Sequence, residues 1–317
     1  MSLKTIEYRG WKDCLLLDNG DIELVVSVGL GPRVLSFKTK KGANFFKNFD
    51  DQMANVSQDT WQSYGGHRLW HAPEVWTRTY YPDVQPVKYT WEENVRPEPC
   101  GYKHIPCSRL TLTCETETTS RLQKEIVIDF PDSGTLVMVT HRIYNRGPWA
   151  AKFAPWALSV MAPGGTVIVP QEPFVPHGPG EGQSFAAGRA IVLWQFTNMA
   201  DPRFVWGKRF IRMSQDDAYP TKQKFGAMVK PGWAAYDFGS ELFIKRFAFF
   251  PGANYPDYGC NAEFYTEPGM LEIESLGPEV PVEPGDFAEH IETWQIEQLK
   301  ASGDDDELAE QLRQIKL

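Results

Sequence analysis

The feature that most constrains the fold of this chain is a hydrophobic period of two that recurs along most of its length. Apolar residues alternate with polar or smaller ones over residues 22–28 and again over 110–115. Such alternation predicts β-strands with one buried face. An Asn-Gly pair at 19–20 predicts a hairpin turn between two strands. Further strands are predicted at residues 124–130, 135–144, 150–160, 190–196, 225–229, 241–249, 263–266 and 270–276.

A helical period occurs only at the end of the chain. In DDDELAEQLRQIKL, three Asp residues favour a helix N-terminus, and Leu308, Leu312 and Ile315 share one apolar face. Predicted strands and helices do not alternate along the chain, so the sequence does not predict a doubly wound sheet. We therefore expect one all-β domain spanning 1–317, in which residues 303–317 form a helical tail.

Composition narrows the classes of ligand. The net charge of −9 gives no overall field that would attract nucleic acid or an anionic membrane. No window approaches 18 apolar residues, and the N-terminal residues contain no apolar signal segment. Five Cys without a CxxC pair argue against a disulfide framework or a zinc cluster. We expect a cytoplasmic protein, a monomer or weak dimer, that binds a neutral or cationic small molecule and neither nucleic acid nor membrane.

The stretch YGGHRLWHAPE, residues 64–74, concentrates candidate functional groups. His67 and His71 have the spacing of a helical zinc site, and Glu74 lies nearby. Such a site needs all its ligands on one helix face. The two glycines before His67 and the proline after His71 disfavour a helix, and Arg68 stands where a metalloprotease needs Glu. We therefore predict no metal here.

As an extended segment, the same stretch has two distinct faces. His67 and His71 point to one side, whereas Arg68 and Trp70 point to the other. One interpretation is a structural corner, with Trp70 in the core and Arg68 in a salt bridge. The other is a polar ligand site, because Arg and His donate to hydroxyls and a Trp ring packs on the apolar side of a sugar.

A second candidate region is acidic. Glu272 and Glu274 share one face of the predicted strand 270–276. On an outer strand they are two solvated carboxylates. At a cleft, partial burial would raise the pKa of one of them towards neutrality, as a general base requires. Glu263, on the preceding strand, is a candidate for the same cleft.

Other candidates carry less information. His177 lies in a long loop rich in Pro and Gly, where an exposed His is well placed for binding. Cys100 and Cys107 flank His104, but the prolines around them indicate a rigid loop, and no oxyanion donors accompany them. We do not predict a nucleophilic site there.

Four stretches, taken in order, carry a family resemblance: NGDIELVVSVGLGPRVLSFKTKKGANFF, GGHRLW, YNRGPWAAKFAPWALSVMAPGG, and FYTEPGMLEIESLGPEVPVEPGD followed by HIETWQI. Together they span most of residues 12–298 and resemble the aldose 1-epimerase, or galactose mutarotase-like, superfamily. The resemblance implies an all-β galactose mutarotase-like β-supersandwich, with large twisted antiparallel sheets and a sugar-sized groove.

The resemblance also implies roles for single residues. Glu274 matches the catalytic Glu of the family, and Arg68 matches its hydroxyl-binding Arg. His67 replaces a residue that is commonly Asn and would lie at the same groove. Trp70 or Trp156 would pack against the sugar.

One departure from the family concerns the catalytic acid. The family carries a His in its middle strands, but Pro155 and Trp156 stand at the matching positions. The acid would then be His67, His71 or His177, or it would be absent.

The resemblance therefore implies an isomerase that interconverts sugar anomers without a cofactor, with Glu274 as base and His67 as acid. Two alternatives remain. One is a carbohydrate-binding protein without activity, which the missing His favours. The other is a sugar lyase or hydrolase that uses Glu263 or Glu272 together with His71.

Overall fold

The computed structural model describes residues 2–55, 60–96, 105–315 and 317. Two large antiparallel sheets dominate the regular secondary structure, as the period of two predicts. Cys100 and His104 of the rejected nucleophilic site lie outside the described residues.

Sheet 1 carries the candidate residues. Its strands lie in the order β1-β2-β3-β4-β5-β10-β19-β18-β15-β12, and β20 pairs with the start of β10. The strands of sheet 1 among the described residues are β1 (Ser2–Tyr8), β2 (Trp11–Asp18), β3 (Ile22–Ser27), β4 (Arg33–Thr39), β5 (Gly66–Ala72), β10 (Ala151–Met161), β12 (Ile191–Leu193), β15 (Gln223–Ala227), β18 (Ala262–Glu267), β19 (Met270–Leu276) and β20 (Val280–Val282).

Sheet 2 packs against one face of sheet 1. Its strands lie in the order β13-β14-β11-β16-β17-β21-β9-β8-β7-β6. The strands of sheet 2 among the described residues are β6 (Lys88–Val95), β7 (Cys107–Thr113), β8 (Leu122–Pro131), β9 (Val137–Asn145), β11 (Thr166–Pro170), β13 (Phe204–Trp206), β14 (Phe210–Ser214), β16 (Trp233–Phe238), β17 (Glu241–Phe247) and β21 (Phe287–Glu297).

The main hydrophobic core lies between the two sheets. Leu24 and Leu69 of sheet 1 belong to the same buried cluster as Ile128, Phe243 and Trp294 of sheet 2. Each fully buried side chain of this size contributes about 1.5–3 kcal/mol relative to an exposed one. In each alternating strand, the face that carries the apolar side chains therefore points into the core between the sheets.

The helix predicted at the end of the chain is confirmed. Besides the single turns α1 (Trp76–Thr79) and α2 (Pro256–Gly259), the described residues contain α3 (Asp305–Gln314). The side chain of Asp304 accepts hydrogen bonds from two N–H groups of the first turn. Leu308 and Leu312 are buried against the outer face of sheet 2. None of the helices in the described part of the chain has the length and apolar character needed to cross a membrane.

A buried charge pair within sheet 2 contacts the backbone of sheet 1. Lys245 of β17 lies 2.8 Å from the carboxylate of Glu292 on β21, and both side chains are fully buried. The Lys245 ammonium also donates to the backbone carbonyls of Ala157 and Ile273 in sheet 1, each at 3.2 Å. Burial alone would raise the pKa of Glu292, but Lys245 and neighbouring histidines hold that pKa below its usual value.

We expect Glu292→Gln to lower the free energy of unfolding by about 3–5 kcal/mol, because it leaves the Lys245 ammonium buried without its counter-charge. Urea unfolding followed by fluorescence measures this change. Glu310→Gln is the matched control, because Glu310 pairs with Arg313 on the surface and exposed pairs contribute less than about 1 kcal/mol. Equal effects of the two substitutions would contradict the expectation.

Candidate functional site

A cavity of about 450 Å³ lies on the face of sheet 1 that points away from sheet 2. Alternate side chains of β5, β10, β15, β18 and β19 form its floor, and Trp61, Tyr80 and Trp194 lie around it. This volume falls within the range of small-molecule sites, about 300–1,000 Å³. The cavity lining combines aromatic rings with the buried charged groups of Arg68, Lys224 and Glu274, which makes it the candidate ligand site.

Strand register explains why the floor is polar. Leu158 of β10 pairs with Arg68 on one side and with Glu274 on the other. Directly paired residues point to the same face, so Arg68 and Glu274 reach the same cavity. Leu69 and Ile273, one residue along each strand, point into the core instead.

Two glycines fix where β5 begins. Gly65 and Gly66 both have positive φ, at 85° and 74°. A side chain at either position would collide with a backbone carbonyl, that of Lys47 or that of Val34. Only glycine fits this approach, which sets the register of the strand that carries Arg68.

Arg68 is buried at one end of the cavity. Its Nη2 lies 3.0 Å from a Glu272 carboxylate oxygen, and its guanidinium carbon lies 4.4 Å from the ring centroid of Trp70 and 5.4 Å from that of Trp61. Its Nε and Nη1, and the indole N–H groups of Trp61 and Trp70, have no hydrogen-bond partner among the described residues. Buried donors without a partner are uncommon in folded proteins, so this group of donors distinguishes this end of the cavity.

Glu274 lies at the other end of the cavity floor and is 1% exposed. One carboxylate oxygen accepts from the indole N–H of Trp156 at 2.9 Å and from Lys224 at 3.1 Å. Burial raises the pKa of Glu274 above its usual value, Lys224 opposes the rise, and Glu272 adds to it. A carboxylate with a raised pKa is a better general base near neutral pH.

Lys224 of β15 lies between two carboxylates. Its Nζ is 2.7 Å from Glu263 and 3.1 Å from Glu274, and it lies 5.1 Å and 4.6 Å from the ring centroids of Trp156 and Trp194. Burial acts to lower the pKa of Lys224, but the two carboxylates outweigh it and raise the pKa. Burial also holds the pKa of Glu263 well above its usual value.

Sequence reasoning missed Lys224, because the strand was predicted to start at 225, whereas β15 starts at Gln223. Extending the alternation back would have found it, since Phe225 points into the core and its neighbour must point outward.

The structure brings together most of the sequence-predicted candidates. The residues among them that line the cavity are Arg68, Trp70, Glu74, Trp156, Glu272 and Glu274. Glu263 contacts Lys224 and is completely buried.

The histidine candidates lie elsewhere. His67 is buried between the sheets, with Nδ1 2.9 Å from the Ser159 hydroxyl and Nε2 2.7 Å from His141 Nε2. Burial lowers the pKa of His67 well below its usual value and that of His71 to about 3. His177 is exposed and packs against Phe185. Among the described residues, no histidine lines the cavity.

His67, His141 and Glu292 place possible ligand atoms within 4.8 Å of one another. The two facing histidine nitrogens are hydrogen-bonded to each other, and Glu292 is paired with Lys245. The buried ammonium already supplies the positive charge that this carboxylate needs, so a second cation would be opposed by it.

The architecture as a whole is that of the galactose mutarotase-like fold, so the all-β supersandwich predicted from the sequence is confirmed. No protein-family model and no curated protein sequence matches the chain.

Solved structures provide the comparison. A galactose mutarotase-like protein from Clostridium acetobutylicum is 9% identical, with a TM-score of 0.55, over 94% of this chain and 99% of that one. One from Lactobacillus casei is 8% identical, with a TM-score of 0.52, over 90% and 100%. The Slr1438 protein from Synechocystis is 11% identical, with a TM-score of 0.55, over 89% and 94%. At these identities, the likeness shows the fold alone.

We expect Trp156→Phe to raise the pKa of Glu274 by about one to two units, because a hydrogen bond to a charged group contributes about 1.5–3 kcal/mol and one unit corresponds to about 1.4 kcal/mol. A carbon-13 NMR titration of the carboxyl measures the pKa, with the signal assigned through Glu274→Gln. Trp149→Phe, at an exposed indole, is the control and should change nothing. An unchanged Glu274 titration in Trp156→Phe would show that the indole does not stabilise the carboxylate.

Proposed function

We propose that the cavity binds a sugar and that the chain interconverts its anomers, as an aldose 1-epimerase-like isomerase. One observation carries this proposal: the guanidinium of Arg68 and the carboxylate of Glu274 line the same aromatic cavity of about 450 Å³. The first group suits hydroxyl binding, and the second suits general base catalysis.

The chemistry of the cavity favours a neutral, hydroxyl-rich ring. Arg68, Trp61 and Trp70 line the cavity with side chains that carry N–H donors, which suit hydroxyl oxygens, and indole faces can cover the C–H side of the ring. The cations that line the cavity are already paired with carboxylates: Arg68 with Glu272, Lys224 with Glu274, and Lys222 with Glu267. An anionic ligand would find no unpaired cation among them.

In this mechanism, the Glu274 carboxylate takes the proton of the anomeric hydroxyl. The bond between C1 and the ring oxygen then breaks, and C1 becomes an aldehyde. Rotation about the C1–C2 bond and reclosure on the other face give the second anomer. The reaction adds and removes no atoms or electrons, so acid-base groups are sufficient for it.

His67 is not part of this mechanism, although the sequence suggested it as the acid. It lies on the opposite face of β5 from Arg68, and its two ring nitrogens contact Ser159 and His141. The proton for the ring oxygen must come from a group that lines the cavity.

We expect Glu274→Gln to lower the rate of anomer exchange by about 10²–10⁴-fold, because the amide cannot take up the proton. NMR saturation transfer measures this rate for D-glucose, D-galactose, D-mannose, D-xylose and L-arabinose, with wild type accelerating at least one of them. Glu310→Gln, on the exposed face of α3, should behave as wild type.

The results of this experiment distinguish a wrong activity from a wrong assignment of the base. If wild type accelerates none of the five sugars, the proposed activity is wrong. If wild type accelerates one and Glu274→Gln is equally fast, Glu274 is not the base.

A second candidate is carbohydrate binding without turnover, which is favoured because no described histidine lines the cavity. Calorimetry with the same five sugars would then show binding, while the anomer exchange of the bound sugar stays at its rate in water.

A further inference from the structure

The ammonium group of Lys224 lies at the cavity but has no role in the reaction as proposed above. It lines the same floor as Glu274 and lies 3.1 Å from one oxygen of the carboxylate that would act as base. An ammonium group has three N–H donors. Its hydrogen bond to Glu274 uses one of them, and the Glu263 carboxylate lies 2.7 Å from the same ammonium as an ion-pair partner.

We infer that Lys224 is the general acid that protonates the ring oxygen of the sugar, and that Glu263 positions its ammonium. This inference rests on the proposed anomerisation and supplies the proton donor that it lacks. Lys224 would touch the reacting atoms and is therefore a catalytic residue, together with Glu274. Glu263, which does not line the cavity, acts only through Lys224.

The positions of Glu274 and Lys224 suit proton transfer at two oxygens that are bonded to the same carbon. The anomeric hydroxyl oxygen and the ring oxygen are both bonded to C1, so they need a base and an acid that are close neighbours. Glu274 and Lys224 come from β19 and β15, on either side of β18, and their charged atoms meet over the cavity floor. A single sugar ring can therefore contact both groups at once.

The step balances in atoms and electrons. On opening, the anomeric O–H proton passes to Glu274, the C1–O5 bond breaks with its electron pair going to O5, and O5 takes a proton from Lys224. The products are the open-chain aldehyde, a neutral carboxylic acid and a neutral amine. On closing, Lys224 takes the proton back from the O5 hydroxyl, and Glu274 returns its proton to the anomeric oxygen.

The two proton transfers assist each other. Lys224 keeps its proton because two carboxylates surround it, and protonation of Glu274 removes one of them. The pKa of Lys224 therefore falls during the step in which it must donate. Burial works in the same direction, because a low dielectric favours the neutral acid and amine over the ion pair.

Lys224→Arg separates catalysis from a purely structural role of the lysine. Arginine keeps the positive charge and can keep both ion pairs, but it does not release a proton in proteins. With the sugar that wild type accelerates most among the five, we expect kcat to fall by about 10²-fold or more. We expect KM to change only a few-fold. Lys230→Arg, at an exposed lysine just beyond β15, is the matched control and should retain wild-type kinetics.

A Lys224→Arg variant whose kcat stays within a few-fold of wild type would overturn the role of Lys224 and leave the proposed activity in place. A wild-type protein that accelerates none of the five sugars would overturn both.

A second variant covers the case in which arginine does not fit. The double substitution Lys224→Met with Glu263→Gln removes one cation and one carboxylate, so the net charge of the cluster is unchanged. When its thermal unfolding matches wild type, it should show the same loss of kcat. Full activity of this folded variant would also overturn the inference.

Discussion

The buried ammonium of Lys245 fixes sheet 1 to sheet 2 directly beneath the cavity. It donates to the carbonyls of Ala157 and Ile273, and these residues alternate with the cavity-lining residues of β10 and β19. Glu292 and both carbonyls together compensate this buried charge. The position of Glu274 therefore depends on a charge pair that never meets the ligand.

Much of the fold could be predicted from the sequence, because burial on one face leaves a period of two. The strand predicted at 270–276 coincides with β19 (Met270–Leu276), and Glu272 and Glu274 share its cavity face. The helix at the end of the chain could be predicted equally well, because its apolar residues Leu308 and Leu312 share one face that must be buried. In both cases the signal is local, and neighbouring residues carry all of it.

The parts of the site that sequence reasoning missed or misplaced depend on which strand face lines the cavity and on contacts between residues of different strands. Every residue of β5 is buried, so its alternation separates His67 from Arg68 without indicating which of them faces a cavity. Lys224 acquires its importance only from Glu263 and Glu274, which lie about forty to fifty residues away in the chain. Trp156 likewise becomes a donor to Glu274 only because β10 pairs with β19. No local sequence pattern encodes such contacts between strands.

The Gly65-Gly66 turn has a consequence for how this chain can change. Because β5 has polar side chains on both faces, a slip of one residue would still give a chemically plausible strand. It would send the guanidinium into the interior and present an imidazole to the cavity. The backbone contacts at the two glycines oppose that slip. Insertions or deletions of one residue at this turn would therefore exchange one set of chemical groups for the other, without changing a single side chain of the strand.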